Sequence, residues 1–309
     1  MSAKRGRWLA VAAFALASSG AVEASAYCRT TTCDPTQPAG CPTDDEGCET
    51  TGLPLYWASN CVTVSVQGDG APTQNIDYDT AAASVQRAFA TWTSVDCFGA
   101  PPSITVDVQG PVQCDKSEYN SDRGNANIVL FREDKWPYGA GAQDALGVTF
   151  VNFDPSSGEI WDVDVEINAI AETLSTDPGP NDVDLDSVLT HEAGHLLGLA
   201  HTKDQSATMF PAYHPGSTSL RNLGYDDVAG LCAIYPSTRT ISSTSCTPRH
   251  GFSPLCGADQ PDPVMTDDTQ PAAPAGCSAS ARRPTSAFAL LGALSLACAA
   301  RFARRRRRH

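Results

Sequence analysis

The 12 cysteines of this 309-residue chain include no Cys-x-x-Cys pair, so the usual signature of a cysteine-built zinc site is missing. There is no internal repeat, which excludes a solenoid or propeller. No apolar run is of comfortable transmembrane length: the longest near the C-terminus, residues 285–300, has roughly 16 residues against the ~20 that a span needs. Basic residues are scarce once the ends are set aside. Residues 27–276 hold 10 Lys or Arg against 34 Asp or Glu, a net charge of −24. Such a surface argues against nucleic acid or anionic lipid as a partner and favours a soluble exported body.

What is present begins with an export signature. Lys4, Arg5 and Arg7 precede an apolar run over 8–17 and then Ala24-Ser25-Ala26, the layout of a cleavable signal covering residues 1–26. At the other end a Gly276-Cys277 pair, the apolar segment and the arginines of 304–308 form a tail over 277–309, and the basic cluster suits the cytoplasmic stop of a single-pass C-terminal transmembrane anchor, for which the apolar segment is short. This tail resembles the sorting tails of myxobacterial surface proteins, which implies surface attachment after cleavage near Cys277. Contact with a membrane is expected only through that tail, and the exported body is expected to be extracellular or envelope-attached. Cysteines in an exported chain imply disulfides. Ten remain after Cys277 and Cys298 are set aside, an even number, and Cys246 with Cys256 is expected to clip one local loop.

Between the ends, residues 27–53 are rich in Thr, Pro, Gly and Asp, carry four cysteines and show no apolar period, which reads as an irregular disulfide-tied segment. From residue 54 the pattern becomes regular. Alternating or β-branched runs at 61–67, 104–108, 127–131, 146–153 and 160–167 predict five strands. Val85, Ala88, Phe89 and Trp92 fall at helical spacing within 79–95, and further helices are predicted over 185–197 and 226–235, the last with Asp226 and Asp227 in its first turn, where carboxylates favour the helix dipole. Residues 54–236 are long enough for one domain with a substantial core. The fold class is α+β, and 237–276, with its six prolines and several Asp, reads as a linker of semi-extended spacer type.

The chemistry concentrates in His191-Glu192-Ala193-Gly194-His195-Leu196-Leu197-Gly198-Leu199-Ala200-His201. Residues four apart on a helix lie one turn above each other, so His191 and His195 can share one metal ion. Glu192, beside the first of them, can face a metal-bound water without taking a coordination position. Gly198 adopts left-handed dihedrals freely, which lets the chain turn sharply and bring His201 back as a third ligand. Three protein ligands leave a position open, the arrangement of a catalytic zinc. With six histidines in the chain, a chance His-Glu-x-x-His match is expected at about one per cent. Gly198 and His201 lower that by about three orders of magnitude.

This string resembles the long zinc-binding pattern of the metzincin metalloproteases, and Thr208-Met209-Phe210-Pro211-Ala212-Tyr213 resembles the Met-turn and following wall of their matrixin branch. The likeness extends to Ala88-Phe89, Trp92 and Val95, to 127–131, and to Leu223, Asp226, Asp227, Gly230, Leu231 and Tyr235. It implies a twisted, mostly parallel five-stranded sheet with two helices, then a small C-terminal subdomain holding the Met-turn and one helix. It also implies one catalytic zinc, Met209 packed beneath it, and Pro211 and Tyr213 in the pocket for the side chain after the scissile bond. Two departures matter. No histidine precedes His191, so the second, structural zinc of animal matrixins is expected to be absent. Nothing before the domain convincingly matches their cysteine-capped pro-segment, and Cys41 is expected to be disulfide-bonded.

Asp162, Asp164 and Glu166 alternate along one strand and so share a face; calcium, which relatives bind, suits such oxygens, but a plain solvated strand face is the stronger expectation. His214 is expected at the surface. The function expected is zinc-dependent hydrolysis of peptide bonds in a protein or peptide substrate by a monomer, with Glu192 as general base and the substrate extended along the 146–151 strand edge. The alternative from another class is a surface binding or adhesion protein that keeps zinc for structure alone. The intact Glu192 and the open coordination position count against it.

Overall fold

A computed structural model describes residues 27–38, 40–139, 142–256 and 280–281. In chain order the elements are β1 (Cys28–Arg29), β2 (Cys61–Val66), α1 (Tyr78–Thr93), β3 (Thr105–Val108), β4 (Ile128–Arg132), β5 (Gly147–Phe153), β6 (Ile160–Asn168), β7 (Leu174–Ser175), β8 (Val183–Asp184), α2 (Leu185–Leu196), β9 (Leu199–Ala200), β10 (Ala212–Tyr213), α3 (Tyr225–Ile234) and β11 (Ser280–Ala281). All five expected strands and all three expected helices form.

The central sheet has the order β3-β2-β4-β6-β5. Every pairing is parallel except that of β5, which runs antiparallel to β6 and leaves β5 as an edge. One face carries the main core. Val62, Val64, Val129, Phe131, Val163, Val165 and Ile167 alternate onto it and meet Val85, Ala88, Phe89 and Trp92 of α1 and Val188, Leu189 and Leu196 of α2. Burial of these apolar side chains is the main stabilising term, each worth about 1.5–3 kcal/mol. Asp77 caps α1 by accepting from the Thr80 N–H, and Asp184 caps α2 by accepting from the Ser187 N–H. All twelve residues of α2 are buried, so this helix is the centre of the molecule rather than a surface element.

The opposite face of the sheet is covered, and this corrects two expectations. Asp162, Asp164 and Glu166 do share a face, but it is not solvated: each is at most 1 % exposed. The cover is built from residues 112–126 and 252–256, where Val112, Cys114, Ala126, Ile128, Leu130 and Cys256 form a second small core. Residues 237–256 accordingly do not form a spacer. Asn60 N–H donates to the Ser243 carbonyl and Ser242 N–H to that of Ala58, while the Arg239 guanidinium donates to the carbonyls of Ser59 and Ser103.

The five disulfides are Cys28–Cys48, Cys33–Cys41, Cys61–Cys246, Cys97–Cys232 and Cys114–Cys256. Cys246 and Cys256 therefore do not clip a local loop; each returns to the body and fastens the C-terminal strap to it. Cys41 is disulfide-bonded, as expected. No helix among the described residues is long and apolar enough to cross a membrane. The export signal and the apolar segment over 285–300 lie outside the described residues.

Candidate active site

Helix α2 delivers His191 and His195 on one face, and Gly198, at φ +95°, turns the chain so that His201 returns toward them. The Gly198 N–H caps the helix end by donating to the His195 carbonyl. The three Nε2 atoms then lie 3.1, 3.1 and 3.3 Å apart. In two of the three the other ring nitrogen is committed: His191 Nδ1 donates to the Thr208 carbonyl at 2.7 Å and His195 Nδ1 to that of Leu199 at 2.9 Å. That fixes the tautomer, with the Nε2 lone pairs turned inward.

Burial drives the three imidazoles neutral. It pushes His191 down to about 4 against the opposing pull of the Thr208 carbonyl, and His201 to about 3, helped by His191. His195 is lowered well below the ordinary histidine value by burial and by its two neighbours. Three neutral nitrogens facing one point with no proton between them repel one another unless a cation sits there. A tetrahedral zinc with bonds of about 2.0–2.1 Å spaces its ligand atoms by about 3.3–3.4 Å, close to the spacing present. Among the described residues this is the one group of three or more His, Cys, Asp or Glu arranged to hold a metal ion. The residues fit zinc.

Glu192 is completely buried beside this trio. Thr149 of β5 donates its hydroxyl to Glu192 Oε2 at 2.6 Å, which holds the carboxylate against the edge strand. The same contact explains Gly147, since a Cβ there would lie 2.7 Å from Glu192 Oε1. Gly194 is required for a similar reason on the other side of the helix: a Cβ would lie 2.3 Å from Met209 Sδ and 2.7 Å from Trp92 Cζ2. Met209 is thus packed directly beneath the metal-binding turn. Trp92 is itself fixed by donating its indole N–H to the Thr190 carbonyl.

The Met-turn is held by a residue the sequence did not single out for this role. The Asp227 carboxylate accepts from the N–H groups of Thr208, Met209 and Gly224. It therefore fixes the carbonyl that orients His191 as well as capping α3. Its position in a helix first turn was legible; its reach across to residue 208 was not, because it depends on tertiary packing. Thr149 was missed for the same reason, although its alternation within β5 was visible.

Tyr213 is buried, and its hydroxyl accepts from the Asp184 N–H and donates to the Ser217 carbonyl. It stiffens the wall after the Met-turn. A cavity of about 100 Å³ lies beside that wall, lined by Phe210, Ala212, Tyr213, His214, Ser217 and Leu220 among others. His214 is exposed. Pro211 precedes β10 on the same stretch.

Two of the three carboxylates considered for calcium are well supplied with protein donors. Glu166 accepts from Arg132, Tyr138 and Ser117. Burial would raise it, but these donors outweigh burial and hold it below the usual carboxylate value. Asp164 accepts from the Glu118 and Ile128 N–H groups. Asp162, pushed up to about 8 by burial, accepts from Asn152. Its other oxygen, Oδ1, is buried without a hydrogen-bond partner, and no group of three or more carboxylate or histidine ligands arranged to hold a metal forms here among the described residues.

Fold and site together define a protein with a three-histidine, zinc-fitting helix and turn set under the edge of a mixed sheet, a buried carboxylate beside it and a methionine floor. The matrixin family model matches residues 56–236, and the chain belongs to that family. It is 30 % identical over 202 residues to Metalloendoproteinase 1-MMP of Arabidopsis thaliana, a match covering 62 % of this chain and 47 % of that protein. It is also 30 % identical to human Matrix metalloproteinase-20 over 179 residues, 58 % of this chain and 32 % of the relative. The corresponding match to human Neutrophil collagenase spans 152 residues, 49 % and 28 %. The chain therefore spans about half or less of the length of these relatives.

Proposed function

We propose that this protein is an exported zinc-dependent endopeptidase, with His191, His195 and His201 as metal ligands and Glu192 as general base. The observation that carries the reading is the convergence of three neutral Nε2 atoms beside a buried carboxylate held at one oxygen by Thr149. Its relatives named as metalloendoproteinases support it, as do the five disulfides, which suit an oxidising compartment.

Zinc, when bound, supplies a Lewis acid that polarises a carbonyl and acidifies a water. Glu192 accepts the proton of the attacking water and returns it to the leaving amide nitrogen, so no covalent enzyme intermediate forms. Thr149 keeps the carboxylate in one orientation through both transfers. The exposed edge of β5 aligns an extended peptide by backbone hydrogen bonds, which gives affinity with little demand on sequence. Selectivity then falls to the cavity lined by Phe210, Ala212 and Tyr213, with Pro211 beside them in the chain. A randomised peptide library cut by the purified protein is expected to show apolar residues immediately after the scissile bond. A preference for charged residues there would contradict the pocket assignment, and a library left intact by zinc-loaded protein would favour a binding protein instead.

A further inference from the structure

The region matched by the family model begins at residue 56, yet the metal site leans on a segment before it. Residues 27–53 are tied into a compact unit by Cys28–Cys48 and Cys33–Cys41, and this unit grips the chain on both sides of His201. On one side β1 pairs antiparallel with β9, Cys28 opposite Ala200 and Arg29 opposite Leu199, and Thr30 N–H donates to the Gly198 carbonyl at 3.1 Å. On the other, Lys203 Nζ donates to the Asp45 carbonyl at 2.7 Å. Between them the Thr30 hydroxyl donates to the Leu199 carbonyl at 3.0 Å, the same oxygen that receives His195 Nδ1–H at 2.9 Å. Thr30 is itself held, because its carbonyl accepts from the Leu55 N–H.

We propose that Thr30 is a positioning residue for the metal site, acting through the Leu199 carbonyl on His195 and through the 198–200 backbone on His201. The inference rests on the zinc-ligand assignment above, but not on catalysis. A carbonyl held by two donors keeps its direction, and with it the ring plane of His195. The neighbouring strand pairing fixes the position from which His201 reaches back. Groups of this kind around metal-binding histidines are worth about 10- to 100-fold in metal affinity when removed. The disulfide-tied segment thus steadies the ligand set of a site whose chemistry lies wholly in another part of the chain.

The test measures zinc affinity by competition with a chelator, and the visible absorption of the cobalt-substituted protein, for wild type, Thr30→Val, Thr30→Ser and Lys203→Gln. Thr30→Val keeps shape and removes only the hydroxyl. It is expected to weaken zinc binding about ten-fold and to shift the cobalt bands, with Thr30→Ser restoring both. Lys203→Gln, on the surface, loses only the Asp45 contact and is expected to weaken zinc binding about two- to three-fold, less than the ten-fold for a group that touches a ligand's own hydrogen-bond partner; should Thr30→Val fold poorly, wild-type zinc affinity in Lys203→Gln would overturn the proposal. Wild-type affinity and an unshifted cobalt spectrum in Thr30→Val, or failure of Thr30→Ser to restore them, would overturn the proposal. Zinc binding as expected in a protein that cleaves nothing would instead count against the peptidase reading and leave this one standing.

Discussion

Replacing Glu192 with glutamine is expected to lower kcat for peptide cleavage by about three orders of magnitude, within the 10²–10⁴ range for loss of a general base, while zinc content stays at that of wild type. The substitution keeps the size of the side chain, and its amide can still meet the Thr149 hydroxyl. What it removes is the ability to take a proton. Because Glu192 is not among the converging Nε2 atoms, the metal has no reason to leave. Parallel measurement of kcat and of metal content separates this result from a folding defect, which would lower both. A Glu192→Gln protein cutting at more than about a tenth of the wild-type rate would mean that another group moves the proton, contrary to the range given for such catalysis.

Reduction of the disulfides without denaturant is expected to unfold the protein and destroy activity. Three of the five bridges close very long loops, with sequence separations of 185, 135 and 142 residues. In the chain-entropy treatment each such bridge restricts the unfolded chain by about 5 kcal/mol, so the three together reach the upper end of the 5–15 kcal/mol typical of a whole domain's stability. The geometry agrees. Cys61–Cys246 and Cys114–Cys256 fasten the C-terminal strap over the outer face of the sheet, and loss of that cover exposes Asp162 and Asp164 to water. Circular dichroism before and after treatment with a thiol reductant checks the expectation. Retention of the near-ultraviolet signal after all ten cysteines have become thiols would show that packing alone holds the fold.

How much of this was legible depended on whether the signal was local. The convergence of His191, His195 and His201 was legible in the pattern over 191–201 because helical spacing and one glycine turn are properties of adjacent residues. The strands and helices followed from periodicity for the same reason. The sheet's outer cover was not legible: Asp162, Asp164 and Glu166 read as a wet face because alternation says which residues share a side, not what lies on it. The strap over 237–256 read as a spacer because its prolines and serines bury little apolar surface, and only the pairing of Cys246 with Cys61 and of Cys256 with Cys114 places it. Cysteine spacing carries no partner information. Asp227, Thr149 and Thr30 were missed because each acts across 19, 43 or 169 positions of sequence.

In the function proposed above, a single metal held by three histidines makes this chain a peptidase. The most direct measurement follows cleavage of an unstructured protein substrate by the oxidised protein, first stripped of metal with a chelator and then titrated with zinc. Cleavage that stops on stripping and returns in full at one zinc per chain is the predicted result. Cleavage that persists in the stripped protein, or a folded chain with one zinc bound that leaves the substrate intact, would contradict it.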